Sequence, residues 1–154
     1  NWYREFEDIQ FWSELDFVGV QAYFPLSDQP GPSASALRKG WATHSDKLAA
    51  VSRSAGRPVL FTEIGYRSIA DAAVEPWKWA SRQQAQVTES DNETQANLYT
   101  AFFEEVWPQP WFAGACIWRW HTASETRGAV TAIDFTPQGK PSLDIIRSGF
   151  LAAR

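Results

Sequence analysis

The sequence predicts an α/β fold in which parallel strands alternate with helices. Three mostly apolar segments, at 15–24, 58–65 and 112–120, have the length and the β-branched or aromatic content of buried strands. Apolar residues at helical spacing follow each of them. Because crossovers of this kind are right-handed, we expect the strands to run parallel, with the helices packed outside the sheet.

The chain begins with a predicted helix and a predicted strand. Residues 3–14 place Phe6, Ile9 and Trp12 among charged side chains, which is the spacing of a short amphipathic helix. The first strand, at 15–24, follows directly and is closed by a proline. A mostly apolar strand of this length is typical of a sheet that is covered by helices.

The middle of the chain predicts one helix, one strand and a long connection. A loop rich in Ser, Pro and Gly at 27–35 precedes a helix over 36–54, and Gly56 supplies its stop signal. The strand at 58–65 begins with proline, where no ladder donor is lost. The connection over 66–91 is long for a compact domain, and such loops are usually functional or carry a short helix.

The last third predicts two helices around the third strand. A helix over 92–106 ends before two prolines, the strand at 112–120 leads into a polar loop over 121–128, and 141–151 has the pattern of a final helix. Three parallel strands do not close a barrel, and an open three-stranded sheet leaves its edges unpaired. The pattern fits the last three-eighths of a (β/α)8 barrel, which normally takes ~250 residues. Residues 1–154 would then be the C-terminal part of one barrel domain.

Charge and composition exclude several functional classes. The net charge of −4 and the pI near 5.2 argue against a nucleic-acid partner, which requires clustered Lys and Arg. No apolar run is long enough for a membrane span, and no Cys, His and Asp cluster has metal-ligand spacing. We therefore expect neither a metal nor another cofactor. The single cysteine, Cys116, lies in an apolar run, which predicts a buried thiol.

Tryptophan is unusually frequent. Nine Trp residues and an aromatic share of 15% require either a large core or a ligand with flat apolar faces. Sugar rings present such faces through their C–H groups. The composition is therefore compatible with a carbohydrate ligand, while a Trp-rich core alone would explain most of it.

Polar side chains close the predicted strands, and in parallel barrels the C-terminal strand ends carry the active site. Tyr23 ends the first strand, Glu63 the second and Trp120 the third. A carboxylate that closes an apolar strand is costly to desolvate unless it is paired or functional. Glu63 is thus either a structural carboxylate bonded to Arg67 or Arg119, or a catalytic one.

At these strand ends the sequence resembles glycoside hydrolase family 113, the β-mannanase family of the clan A barrels. Residues 15–26 are similar to the sixth strand of that family, 56–68 to the seventh and 111–120 to the eighth. The segment at 135–141 is similar to the last turn before its C-terminal helix. The sharpest motif is Thr-Glu-Ile-Gly-Tyr at 62–66.

The resemblance implies a retaining glycoside hydrolase that cleaves a β-linked polysaccharide, with β-1,4-mannan as the expected substrate. It implies that Glu63 is the nucleophile and that Tyr23 donates a hydrogen bond to it, although Tyr23 alone would also fit an aromatic core position. Either Trp118 or Trp120 would form the platform under the sugar. Strand alternation puts both tryptophans on one face and does not rank them.

Four more residues are candidates around this site. Arg67 lies near Glu63 in sequence and would keep it ionised. His121 would line the cleft, or be a loop residue bonded to backbone. Trp77, together with Trp79, would form an outer sugar subsite, or cover the rim of the barrel.

A retaining mechanism also needs an acid/base carboxyl group, ~5–5.5 Å from the nucleophile. In clan A that group belongs to an Asn-Glu pair closing the fourth strand. The one such pair here, Asn92-Glu93, opens a helix. We therefore expect strands one to five and the acid/base outside this chain, as the missing N-terminal part of the barrel, and expect the chain alone to be inactive. The alternatives are a non-catalytic carbohydrate-binding or scaffolding protein on a degenerate barrel, and another clan A specificity.

Overall fold

Three parallel strands, each followed by a helix, make up the fold. The computed structural model describes residues 2–79, 81, 83, 87–122 and 132–152. The elements are a 3-10 helix Trp12–Glu14, β1 Val18–Gln21, α1 Ala34–Ala55, β2 Val59–Ile64, α2 Asn92–Glu105, β3 Phe112–Ile117 and α3 Ser142–Leu151. No helix in the described part of the chain is both long and apolar enough to cross a bilayer.

The sheet has the strand order β1-β2-β3, and both pairs are parallel. Val59 of β2 is in register with Val18 on one side and with Phe112 on the other. The α/β class with parallel strands and helices is therefore confirmed. The carboxyl ends of all three strands lie at the same edge of the sheet. The polar residues that close the predicted strands lie at this edge.

Each strand lies inside its predicted segment and is shorter than the prediction. β1 stops at Gln21 because the next residues turn, with the Tyr23 amide donating to the Gln21 carbonyl oxygen at 3.0 Å. β3 stops at Ile117, and the peptide bond between Trp118 and Arg119 is cis. Tyr23 and Trp120 therefore lie on the loops that follow β1 and β3, whereas Glu63 lies within β2.

The predicted helix over 3–14 is wrong. This segment consists of turns, in which the Glu5 amide donates to the Trp2 carbonyl at 3.1 Å, followed by the short 3-10 helix. The indole Nε1 of Trp12 donates to the Phe6 carbonyl at 2.8 Å. That carbonyl is thus taken by a side chain, and the buried Phe6 ring packs edge-on against Phe24. Tertiary packing overrides the helical spacing here.

The long helices begin and end at the residue types that favour helix ends. The Ser33 hydroxyl caps α1 by accepting from the Ala36 amide at 3.2 Å, and Gly56 ends it with a φ of 64°. The stop predicted at Gly56 is confirmed. Asp91 caps α2, its Oδ1 accepting from the Thr94 amide at 2.8 Å. The side-chain caps therefore determine the residue at which each of these two helices begins.

An aromatic layer joins the helices to the sheet. Phe61 of β2 stacks on Trp41 of α1 at 6.0 Å and meets Phe112 of β3 edge-on at 4.8 Å. Phe102 of α2 packs into the same layer. Removing one such ring typically costs about 3–5 kcal/mol, so this layer holds the strands in place beneath their functional ends.

The face of the sheet opposite the helices is more open. Thr62 of β2 and Cys116 of β3 are exposed on it. The prediction of a buried thiol is therefore wrong, because apolar neighbours along the chain do not determine which side of the strand Cys116 occupies.

Candidate active site

Glu63 is held by two neutral donors from the end of β1. The sheet register places Gln21 directly beside Glu63. The Gln21 amide Nε2 donates to Oε1 of Glu63 at 3.1 Å, and the Tyr23 hydroxyl donates to Oε2 at 2.9 Å. Each carboxylate oxygen thus has its own donor, which fixes the orientation of the carboxylate plane.

The turn after β1 brings Tyr23 to this position. The Ala22 amide donates to the Glu63 carbonyl at 2.7 Å, which keeps the chain against β2 for one more residue. The Tyr23 ring is buried and packs edge-on against Phe135 at 6.2 Å. Its hydroxyl points to the carboxylate, so Tyr23 is a buried aromatic and a hydrogen-bond donor at once.

Electrostatics keep this phenol protonated. Burial, reinforced by the hydrogen bond and the charge of Glu63, raises the pKa of Tyr23 far above its ordinary value. The hydroxyl therefore remains a donor at any working pH. Because Gln21 does not titrate, both donors to Glu63 are permanent.

Glu63 makes no ion pair with any residue in the described ranges, so the bond to Arg67 or Arg119 that a structural carboxylate would make is not found there. Arg119 pairs with Asp134 at 3.2 Å, and Arg67 approaches Asp71 at 3.8 Å. Arg67 is buried, and burial lowers its pKa. The structure therefore does not bring Arg67 to Glu63.

A pocket of about 210 Å³ opens at the Glu63 carboxylate. Its lining comprises the three polar residues Gln21, Tyr23 and Glu63 and the five aromatic residues Trp2, Trp77, Trp79, Trp118 and Phe135. Among the described residues that line it, Glu63 is the only acid. A pocket lined by aromatic rings and one carboxylate is suited to a ligand that has apolar faces for the rings and a polar or reactive group for the carboxylate.

Trp118 reaches the pocket and Trp120 does not line it. The Trp118 amide donates to the Ile64 carbonyl at 2.8 Å, which holds the start of the β3 loop against the end of β2. Gly65 permits this approach, since a Cβ at that position would collide with the Trp118 carbonyl oxygen. Trp120 is 61% exposed. Of the two candidate platforms, the structure places Trp118 beside Glu63.

A buried polar cluster lies behind the pocket wall. Asp134 is 4% exposed, and its Oδ2 is 2.8 Å from His121 Nε2 and 3.2 Å from Arg119 Nη2. Lys140 Nζ lies 3.6 Å from the other oxygen, and burial lowers the pKa of Lys140 to about 8. His121 therefore belongs to this cluster and not to the pocket lining.

Three residues that line the pocket were not predicted from the sequence. Gln21 could have been found, because strand alternation places it on the same side as Tyr23. Trp2 lies outside the predicted strands, and an isolated bridge to Gln21 and ring contacts with Tyr23 and Trp77 bring it here. Phe135 follows the buried Asp134 and carries no motif of its own.

A known protein family matches most of the chain. The family model described as Glycoside Hydrolase Family 113 matches residues 1–140. No curated protein matches the chain.

Solved structures share the fold at low sequence identity. A GH113 β-1,4-mannanase in a complex has a TM-score of 0.77 and 22% identity, covering 99% of this chain and 44% of its own. The GH113 β-mannanase AaManA from Alicyclobacillus acidocaldarius has a TM-score of 0.75 and 23% identity, with the same coverage of 99% and 44%. A β-glucuronidase of Bifidobacterium dentium has a TM-score of 0.56 and 18% identity over 92% of this chain and 22% of its own.

The chain thus spans 44% of the length of the mannanases that it matches. Its three strands and helices correspond to part of a barrel of that family, which confirms both the predicted fold class and the resemblance seen in the sequence. With the family model matching residues 1–140, the chain belongs to glycoside hydrolase family 113.

Proposed function

We propose that Glu63 is the nucleophile of a retaining glycoside hydrolase that cleaves β-1,4-mannan or a closely related β-linked polysaccharide. The observation that carries this proposal is the pair of hydrogen bonds from Gln21 and Tyr23 to Glu63 on the floor of an aromatic pocket. Family membership supports the reaction class. The two GH113 neighbours are β-mannanases, which supports mannan as the substrate.

In this mechanism Glu63 attacks the anomeric carbon and forms a glycosyl–enzyme bond, while the glycosidic oxygen leaves with a proton. Tyr23 and Gln21 hold the carboxylate in one orientation before and after the attack, which lowers the cost of reaching the reactive geometry. Trp118, beside Glu63, stacks on the apolar face of the sugar ring. Water then cleaves the glycosyl–enzyme bond and restores the starting configuration.

The acid/base is a second carboxyl group, about 5–5.5 Å from the nucleophile in retaining enzymes. The described pocket residues other than Glu63 are aromatic or uncharged. Because the acid/base of clan A closes the fourth barrel strand, we assign it to a strand other than the three that the described residues form. By this assignment the segment alone lacks the proton donor, which contributes typically 10²–10⁴-fold to the rate.

The test is the substitution of Glu63→Ala in the full-length protein. We expect turnover of mannan to fall on the order of 10³-fold or more, because no other group replaces the nucleophile. Added azide should restore turnover and give a glycosyl azide of inverted configuration. The matched control is Glu104→Ala, which removes a half-exposed carboxylate on α2 and should leave the rate unchanged. Near-normal activity of Glu63→Ala would refute the assignment.

A second candidate function is sugar binding without hydrolysis. It is favoured by one observation, the aromatic pocket with a single acid among its described lining residues. Calorimetry with mannooligosaccharides and a hydrolysis assay, both on the full-length protein, separate the two functions. Binding with no hydrolysis would favour the second candidate and exclude the first.

A further inference from the structure

Trp79 is the most exposed of the aromatic side chains that line the pocket. It is 53% exposed, compared with 36% for Trp118. Its ring is nevertheless held from the protein side. The Arg119 guanidinium carbon lies 5.2 Å from the centroid of the ring, and the Phe135 ring lies 5.0 Å from it. A large apolar ring that is both fixed and exposed is the usual form of a binding platform.

Trp77, on the same connection, differs from Trp79 in this respect. Its ring stacks on Tyr3 at 5.3 Å with an interplanar angle of 18°, and Trp2 packs edge-on against it at 5.9 Å. Other aromatic rings of the protein therefore cover Trp77. Both residues line the pocket, and Trp79 is the more exposed of the two.

Arg119 is itself fixed by a buried carboxylate. Its Nη2 lies 3.2 Å from Asp134 Oδ2, and the Asp134 Oδ1 accepts from the Thr136 amide at 2.9 Å. Asp134 is thus anchored to the backbone on one side and to Arg119 on the other. The guanidinium is held over the indole by this contact, and it shares the Asp134 carboxylate with Lys140 and His121.

We propose that Trp79 is the platform of a second pyranose-binding subsite, next to the sugar that contacts Glu63, and that Arg119 is the residue that positions its ring. The inference rests on the proposed function, because both residues serve the same pocket. The ligand is a neutral sugar ring of a β-linked chain, which stacks its C–H face on the indole. A neutral sugar is expected because the indole face meets the C–H groups of the ring and because Glu63 is the only charged side chain among the described residues that line the pocket.

The first experiment measures the affinity of mannooligosaccharides of increasing length by calorimetry. It uses full-length protein with Glu63→Ala, so that the ligand is not cleaved. We expect Trp79→Ala to weaken the longer oligosaccharides about tenfold and to leave mannose and the shortest ligands unchanged. Trp79→Phe should retain most of the affinity. The matched control is Phe11→Ala, which removes an aromatic ring of 58% exposure outside the pocket and should change nothing.

The second experiment is a double-mutant cycle between Arg119→Met and Trp79→Ala. We expect Arg119→Met alone to weaken the longer ligands about threefold, and to cause no further loss once Trp79 is absent. A purely structural role of Arg119 would affect ligands of every length and would persist in the Trp79→Ala background. An equal loss in both backgrounds would therefore overturn the positioning role.

Failure of this inference differs from failure of the proposed function. If the affinity still rises with ligand length in Trp79→Ala as it does in the parent protein, the subsite is refuted while the role of Glu63 stands. If no oligosaccharide binds to the Glu63→Ala protein and that substitution also leaves hydrolysis intact, the proposed function itself is refuted.

Discussion

Glu63 is an acid, whereas the two side chains that donate to its carboxylate, Gln21 and Tyr23, remain neutral. Gln21 has no titratable group, and burial holds the pKa of Tyr23 far above its usual range. The charge of this part of the site therefore depends on Glu63 alone. Because both donors keep their protons, the orientation of the Glu63 carboxylate does not depend on pH. Its position and its ionisation can therefore be changed independently.

Gln21→Glu tests this independence. The substitution keeps the length of the side chain and places a second carboxylate within hydrogen-bonding distance of Glu63. Two carboxylates this close share a proton, so that full ionisation requires a higher pH. We expect the acid limb of the kcat/KM profile on mannan to move up by about one pH unit or more.

The control for that substitution is Gln21→Met, which removes the donor without adding a charge. Its acid limb should move less than that of Gln21→Glu, although its rate should also fall. An unchanged acid limb in Gln21→Glu would show that Gln21 does not contact Glu63 in the working enzyme.

At the scale of elements, the site depends on how closely the loop after β3 approaches the end of β2. The Trp118 amide bonds to the Ile64 carbonyl, and Gly65 lies directly under the Trp118 carbonyl. No side chain fits between them. The position of one pocket wall is thus set by the absence of a single Cβ.

We expect Gly65→Ala to displace Trp118 and to destabilise the protein by about 1–3 kcal/mol, as overpacking typically does. The displacement should raise KM for mannooligosaccharides, because the sugar loses its stacking surface. Kinetics and urea denaturation of the full-length protein provide the measurements. Gly19→Ala on β1 is the matched control, since its Cβ would meet only Thr62 Cγ2 at 3.3 Å. A normal KM for Gly65→Ala would contradict this role.

Elements with local signals were predictable from sequence, and elements fixed by distant contacts were not. Helix α1 carries its own serine cap and its glycine stop, and the structure agrees at Gly56. The segment over 3–14 has helical spacing, but Trp12 takes the Phe6 carbonyl, so the helix does not form. The hydrogen bond from Tyr23 to Glu63 was implied by the resemblance to the family, and the structure contains it. The contribution of Trp2 to the pocket was not implied, because it requires the folded chain.

At the scale of the molecule, the Asp134 cluster joins segments that are distant in sequence. Arg119 and His121 follow β3, and Lys140 precedes α3. The buried Gln95 of α2 adds a second link, donating to the Tyr66 carbonyl at 2.8 Å and accepting from Ser142 at 2.8 Å. The loops that carry the pocket walls are therefore tied to one another and to two helices.

Asp134→Asn should destabilise the protein by about 3 kcal/mol, because it leaves buried cations without their counter-charge. We use the low end of the usual range since the Arg119 side chain is 32% exposed. The free energy of unfolding from urea titration of the full-length protein is the measurement. Asp28→Asn, an exposed carboxylate in a loop, is the control and should change stability by less than about 0.5 kcal/mol. Equal stabilities of the two variants would show that the cluster contributes little.

The division of the tryptophans into buried and exposed groups has an optical consequence. Trp12, Trp41 and Trp107 lie in the core, whereas Trp79, Trp118 and Trp120 face solvent. Collisional quenchers reach the second group only, and the emission of the first group changes only when the core opens. Beside the partly buried Trp2, Trp77 and Trp111, the molecule therefore carries three core indoles that sense folding and two exposed indoles, Trp79 and Trp118, that lie at the pocket and sense its occupancy.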